Sequence, residues 1–474
     1  MAKYKPVERI KNEGRKWPEN SITKSPIWCS VDLRDGNQAL PIPMGVEQKV
    51  KFFKMLVNIG FKEIEVGFPS SSDTEFEFIR YIADNGLIPD DVTVQVLCQS
   101  KPALIEKTFE SLKGLKKVIF HIYNSTSPAQ RKYTFGMTKE QVIQMALDGV
   151  NCIKKCVSKY SQSSLSADLP EIQLEYSPES FSMTEIDYAV EICQTIGNEW
   201  GWDKNNKIIF NLPTTVECYS PNVYADAVEY FSNHISHRDC IILSTHCHND
   251  RGCAIASAEL ALMAGAERVE RCLFGNGERT GNLDIVTMAL NMFSEGVNPN
   301  LDFSNLNSIA NVYTECSGMS IPLRQPYSGE LVFTAFSGSH QDAIRKAMNE
   351  RKFLGEDATW DVPYLLIDPQ DIGREYEEII RINSQSGKGG AAWILEKDFG
   401  LFLPKGMHPV FGYIVKQKAD FLQRELFPNE IYEVFQKTWL EQENPKISKK
   451  DICDKLDYTK SFIEKMVQSL FLCD

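Results

Sequence analysis

Two histidines one residue apart, His246 and His248 in LSTHCHNDRGCA, are the residues of this chain best suited to chemistry. They follow an apolar run, Ile241-Ile242-Leu243, that reads as a strand. Residues i and i+2 of a strand point to the same side, so both imidazoles can reach one metal ion. Cys247, between them, should point away. A second cluster, Leu33-Arg34-Asp35-Gly36-Asn37-Gln38, also follows a β-type run and supplies a carboxylate and an arginine. Two His and one Asp make an open coordination set with positions left for a substrate. An isolated histidine is more often a satisfied core or surface residue. A His-x-His at one strand end, followed by Asn249-Asp250 and joined by an Arg-Asp at another strand end, favours a metal centre.

These clusters need a frame that brings distant strand ends together. Eight β-type runs are present, at 27–33, 63–68, 93–98, 118–123, 171–176, 208–212, 241–245 and 268–274. Helical stretches lie between them, at 44–59, 73–83, 138–160, 184–196, 222–233, 252–264 and 284–293. In the first, Val46, Val50, Phe53 and Val57 recur at helical spacing. Strict alternation implies parallel strands joined by crossover helices. Eight such units over about 270 residues match a (β/α)8 TIM barrel. A doubly wound open sheet is the alternative, but no GxGxxG follows the first strand.

A barrel places its active site at the C-terminal ends of the strands. Arg34-Asp35 follow strand 1, His121 lies in strand 4, and Ser177 to Glu179 follow strand 5. Thr214-Thr215 follow strand 6, His246 and His248 strand 7, and GNGERTGN (275–282) strand 8. The polar residues therefore collect at one rim. After Phe293 the pattern changes, with 298–309 and 327–336 reading as linker and helical entry. A helix beginning at Ser337 carries His340, 362–369 reads as loop or strand, and the tail from Pro409 is mostly helical, with a capping box at Ser448 to Asp451. The expected division is an N-terminal arm (1–26), the TIM-barrel catalytic domain (27–295), a linker with accessory subdomain I (296–400) and helical accessory subdomain II (401–474).

The chain has 474 residues, 43% hydrophobic and 24% charged, which is ample for a large core. A net charge of −13 argues against nucleic acid or an anionic membrane as the main partner. Thirteen cysteines without a CxxC pair read as buried thiols in a reducing compartment. The N-terminus lacks an apolar signal segment, and no run approaches the ~18 apolar residues of a membrane span. The expectation is a cytoplasmic protein.

Several strings carry a family resemblance. LRDGNQ (33–38), with Lys49 eleven positions beyond Gln38, and LSTHCHNDRGCAIA (243–256) resemble the signatures of the 2-isopropylmalate synthase and homocitrate synthase family, the condensing members of the DRE-TIM metallolyases. CSVDLRDGNQAL (29–40), KEIEVGFPSSS (62–72), YNSTSPAQR (123–131), EYSPESF (175–181), LFGNGERTGNLDIVTMALN (273–291), FSGSHQDAI (336–344) and SQSGKGG (384–390) resemble the longer fungal and actinobacterial type of 2-isopropylmalate synthase. The matches run in order from about Trp17 to Phe427. Two departures stand out. The family's leucine-sensing C-terminal domain has no counterpart before Asp474, which puts feedback inhibition by leucine in question, and Cys247 stands where proline is usual.

The resemblance implies condensation of acetyl-CoA with 3-methyl-2-oxobutanoate (2-oxoisovalerate) and thioester hydrolysis to 2-isopropylmalate and CoA, the first committed step of leucine biosynthesis. Such an enzyme is an acyltransferase acting on small molecules, expected as a homodimer. Independently of the family, a 2-oxo acid chelates a divalent cation through its carboxylate and ketone oxygens. Magnesium is the expected ion, with manganese or zinc as alternatives, held by Asp35, His246 and His248. Arg34 would stabilise the developing alkoxide. For the base that deprotonates the acetyl methyl group, the resemblance points to His340 with Tyr364, reaching across a dimer; Glu179 is the competitor and reads better as a relay. Leu97, His121, Ser177 and Thr215 match positions lining the oxo-acid pocket, and Asn282 matches an outer metal or substrate contact. Gly275, Gly277 and Gly281 permit a close backbone approach to CoA or simply a tight loop. SGKGG (386–390) lacks phosphate-loop spacing and reads as a CoA or structural anion contact at most. Two rivals remain: a related synthase of citramalate or homocitrate type, using pyruvate or 2-oxoglutarate, and a catalytically silent scaffold.

Overall fold

A computed structural model describes residues 10–161, 170–334, 338–354, 358–376 and 390–440. All eight expected strands form: β1 (Ile27–Ser30), β2 (Glu63–Gly67), β3 (Thr93–Gln99), β4 (Lys117–Ser125), β5 (Glu171–Glu179), β6 (Ile208–Thr214), β7 (Ile241–Cys247) and β8 (Arg268–Arg271). They close one parallel barrel in chain order, with β8 pairing β1. A helix follows each strand: α1 (Val46–Ile59), α2 (Asp73–Asp84), α3 (Pro102–Ser111), α4 (Lys139–Ser161), α5 (Ile186–Trp200), α6 (Pro221–His234), α7 (Ala254–Met263) and α8 (Ile285–Ser294). The TIM-barrel reading is borne out.

Local chemistry sets the helix ends. Ser72 accepts from the Glu75 amide at the start of α2, and Asp284 accepts from the Val286 amide at the start of α8. Gly60 closes α1 at φ +110, a conformation that favours glycine.

Five sequence expectations need correction. Helix α3 was not anticipated; it is short and opens on Pro102, which reads as a breaker but is well suited to the first helical position. Strand β1 ends at Ser30, and Asp32–Gly36 forms a π-helical turn. Strand β8 ends at Arg271 rather than at Phe274, which takes φ 55 in a tight turn. Part of the expected linker is helical, since α9 (Leu306–Ser317) forms and packs Tyr313 against Phe52 of α1. Residues 327–334, read as a helical entry, form turns, with Tyr327 at φ 59.

The barrel interior is polar, where branched apolar residues are usual. Glu65, Gln95, Glu175, Ser244, Arg268 and Glu270 are fully buried. Arg268 holds this layer together, donating to Gln95 (2.6 Å), Glu270 (2.8 Å) and Ser244 (2.9 Å). Such a layer is tolerable only because its charges are paired. The apolar core lies between the barrel and its helices, where Phe53, Leu56, Ile79, Ile122 and Val228 are fully buried. Ahead of β1, Trp17 donates its indole N–H to Asp226 and its amide to Glu229, tying the N-terminal arm to α6.

The chain divides into two compact units, Met1–Glu330 and Leu331–Asp474. In the second, α10 (Gly338–Arg351) precedes α11 (Gly390–Phe399), α12 (His408–Leu422) and α13 (Pro428–Phe435). The last three bury Leu395, Phe411, Val415 and Ile431 in one cluster, in keeping with the helical tail. The SGKGG glycines before Gly390 and the Ser448–Asp451 capping box fall outside the described residues. All eleven cysteines among the described residues are free thiols. No helix among them is long and apolar enough to cross a membrane.

Candidate active site and metal centre

Strand periodicity builds the site. Leu97 and Gln99 on β3, His121 and Tyr123 on β4, Ser177 and Glu179 on β5, and His246 on β7 with His248 just beyond its end alternate with outward residues and line one cavity of about 350 Å³. Arg34, Asp35 and Thr215 line it as well. Nine of the residues singled out in the first unit therefore meet at one barrel mouth. Cys247 points away, with its thiol beside Thr214 and Tyr224.

The π-turn after β1 supplies Arg34 and Asp35. The amides of Arg34, Asp35 and Gly36 all converge on the Val31 carbonyl, which tightens the turn. One carboxylate oxygen of Asp35 accepts from Arg34 at 2.9 Å. The other lies 3.7 Å from His246 Nε2. Asp35, His246 and His248 each offer a ligand atom, and these atoms lie within 4.8 Å of one another, so the three residues could hold one metal ion. Their electrostatics suit that task. Burial alone would raise the Asp35 carboxyl, yet Arg34, His246 and Arg271 hold it well below the ordinary carboxylate range. Burial, reinforced by Arg271, lowers His246 to about 4 and His248 to about 2. Both imidazoles are then neutral near pH 7, the form that ligates a metal.

A run of hydrogen bonds beneath the mouth fixes these groups. Glu270 Oε1 accepts from His246 Nδ1 at 2.7 Å, which leaves Nε2 for a ligand role. Asn211 donates to the same oxygen at 2.7 Å and to Ser177 Oγ at 2.9 Å. The Ser177 hydroxyl meets His121 Nε2 at 2.7 Å, and His121 Nδ1 meets Glu65 at 3.0 Å. Glu65 closes the run by ion-pairing with the Arg34 Nε. Burial raises the Glu65 carboxyl, but Arg34 and His121 bring it below its usual value. Glu65, Asn211 and Glu270 were not found in the sequence; the one signal for them was charge or amide at inward positions of barrel strands.

The remaining expected residues have distinct surroundings. Thr215 Oγ1 accepts from the Ser180 amide at 2.9 Å, which leaves its proton for another acceptor. Glu179 accepts from the Ser125 hydroxyl. Leu97, Phe68 and Pro213 give the cavity apolar wall. Asn282 does not line the cavity. Its amide nitrogen donates to Asp35 at 2.9 Å and its oxygen accepts from Arg271 at 3.1 Å, so it orients a ligand in this arrangement. The glycines before it serve a tight loop: a Cβ on Gly281 would collide with the Gly275 carbonyl, and one on Gly277 with the Asn282 side chain. Arg279 reaches the mouth from that loop and pairs with Asp250 at 2.8 Å. His340 and Tyr364 belong to the second unit, where their rings stack 3.9 Å apart.

Comparison with known proteins shows the family and the fold. Residues 25–313 match the HMGL-like family model, and residues 330–396 match the model for the post-catalytic domain-like region of alpha-isopropylmalate synthase. The chain is 56% identical to a 2-isopropylmalate synthase of Clostridium acetobutylicum over 443 residues, covering 94% of this chain and 78% of that one. It is 51% identical to a 2-isopropylmalate synthase of Saccharomyces cerevisiae, over 92% of this chain and 70% of that one. Among solved structures, the hydroxymethylglutaryl-CoA lyase of Pseudomonas aeruginosa superposes with a TM-score of 0.51 at 16% identity, over 63% of this chain and 95% of that one, a likeness of fold.

Proposed function

Because this chain belongs to the 2-isopropylmalate synthase family, we propose that it condenses acetyl-CoA with 3-methyl-2-oxobutanoate and releases 2-isopropylmalate and CoA. The observation that carries the reading is the convergence of Asp35, His246 and His248 beside Arg34 at the mouth of a cavity of about 350 Å³. Three deprotonated ligand groups and one fixed guanidinium suit a substrate that carries adjacent carboxylate and ketone oxygens.

A divalent ion held by Asp35, His246 and His248 would supply Lewis-acid polarisation of the ketone; magnesium is the first choice, with manganese or zinc as alternatives. The chain's own residues do the rest. Arg34 faces the ketone oxygen as it gains negative charge, and Glu65 keeps the guanidinium from turning away. Thr215 donates its free hydroxyl proton to the substrate carboxylate. His121 and Ser177 hold the polar side of the pocket, while Leu97 and Phe68 receive the isopropyl group. A base takes one proton from the acetyl methyl group, and the resulting carbon attacks the ketone carbon. The alkoxide then gains a proton, and water cleaves the thioester to free the CoA thiol.

We assign that base to His340, supported by Tyr364 stacked on it and contributed by a second copy of the chain in a homodimer. Glu179 acts as a relay within the barrel.

The substrate assignment is tested by CoA thiol release across a panel of 3-methyl-2-oxobutanoate, pyruvate and 2-oxoglutarate. The expected result is highest kcat/KM with the branched acid. Equal or better turnover of pyruvate or 2-oxoglutarate would replace the assignment with a citramalate- or homocitrate-forming one, and silence with all three would favour a scaffold.

A further inference from the structure

Arg271 is the last residue of β8 and is fully buried. Strand parity turns Arg268 and Glu270 inward, so Arg271 leaves the strand on the opposite side and comes round behind the rim. Its guanidinium ends among the candidate ligands. One terminal nitrogen lies 3.2 Å from Asp35 Oδ2 and 3.1 Å from Asn282 Oδ1, and the other lies 3.4 Å from His248 Nδ1. Asp35 is the only carboxylate that ion-pairs with Arg271 among the described residues. The buried Nε has no hydrogen-bond partner.

His248 Nδ1 sits between two competing groups. The Thr214 carbonyl, 3.2 Å away, asks for a proton on Nδ1. The guanidinium, 3.4 Å away, asks for a lone pair there. With Nδ1 protonated, Nε2 carries a lone pair and can bind a metal. With Nδ1 accepting from Arg271, the proton moves to Nε2 and closes His248 as a ligand. Arg271 and a divalent ion therefore compete twice, through charge at Asp35 and through the tautomer of His248.

We propose that Arg271 is a built-in cation of this centre, which orders Asp35, His248 and Asn282 before a metal arrives and weakens the binding of that metal. The inference rests on Asp35, His246 and His248 being the ligands. It gives the chain a low-affinity, exchangeable site that responds to the concentration of free divalent ion.

The test is Mn²⁺ binding to the purified, chelator-stripped chain, read from the paramagnetic resonance signal of free Mn²⁺ and needing no turnover. Arg271→Met removes the charge at similar length, and Arg271→Gln removes the charge but keeps a donor toward Asp35. The expected result is at least tenfold tighter Mn²⁺ binding in Arg271→Met, with Arg271→Gln also tighter than the parent. Should the methionine variant not fold, the glutamine variant alone decides, since loss of charge is common to both. Unchanged or weaker binding in the variants, with Mn²⁺ still bound by the parent, would overturn this inference alone. Absence of Mn²⁺ binding in the parent and both variants would overturn it together with the ligand reading.

Discussion

Glu270 Oε1 lies 2.7 Å from His246 Nδ1 on the floor of the barrel mouth, and both residues are buried. The carboxylate holds the imidazole in the tautomer whose Nε2 faces Asp35. Glu270→Gln keeps the shape but can present its amide N–H₂ to Nδ1 and release the tautomer. Outer-shell changes of this kind cost about 10–100-fold in metal affinity. Mn²⁺ titration of a variant with unchanged circular dichroism should show that loss, and parental affinity would contradict the orienting role.

Arg34 is held from two sides, by Asp35 at 2.9 Å and by Glu65. Arg34→Gln should lower kcat by about 10²–10³, the usual cost of removing one group that stabilises developing charge. Arg34→Lys should recover little, because a single ammonium cannot meet Asp35, Glu65 and substrate together. Steady-state kinetics decide this; recovery of full kcat by lysine would mean that charge alone matters.

Leu97 is 6% exposed and contributes apolar wall to the cavity. Leu97→Ala should shift preference toward bulkier 2-oxo acids. The change in kcat/KM ratio between 3-methyl-2-oxobutanoate and a one-carbon-longer acid should be about 10-fold or more, the lower end of what one methylene commands. An unaltered ratio would move the specificity wall elsewhere.

Glu175 is fully buried on β5, and neither carboxyl oxygen makes a hydrogen bond. Burial, stronger than the pull of Arg268, pushes its pKa well above the usual 4.5. The folded chain then holds a proton that the unfolded chain releases above about pH 4.5. Its contribution is fully present below that pH and is lost as pH rises toward the folded value. Glu175→Gln cannot titrate, so its melting temperature relative to the parent should climb steadily from pH 5 to pH 8. A gap that stays constant with pH would show that Glu175 is ionised in the fold.

The barrel was legible because each strand is an apolar run closed by polar residues, and because parity alone places His246 with His248, and Ser177 with Glu179, on one side. The π-turn at Asp32–Gly36 was not, since it depends on three amides sharing the Val31 carbonyl, a contact without a sequence signature. Helix α3 was hidden by its length of ten residues and its opening proline. Glu65 and Glu270 were passed over because charged residues inside a strand ordinarily mark its solvent face; here Arg34, Arg268 and the histidines make burial tolerable. Arg271 could not be found from spacing, because its parity points away from the site and only the length of its side chain brings it back. Asn282 reads from the sequence as an outer metal or substrate contact; in the fold its amide nitrogen donates to Asp35, a contact no spacing in the sequence specifies.

The central claim is that Asp35, His246 and His248 hold a divalent ion on which condensation depends. The most direct measurement is CoA thiol release from acetyl-CoA and 3-methyl-2-oxobutanoate after exhaustive chelation and again after adding Mg²⁺ or Mn²⁺, for the parent and for His248→Ala. The account predicts no release after chelation, recovery in the parent on adding metal, and none in a folded His248→Ala at any metal concentration. Full release in the presence of chelator, or metal-restored release in His248→Ala equal to the parent, would contradict it.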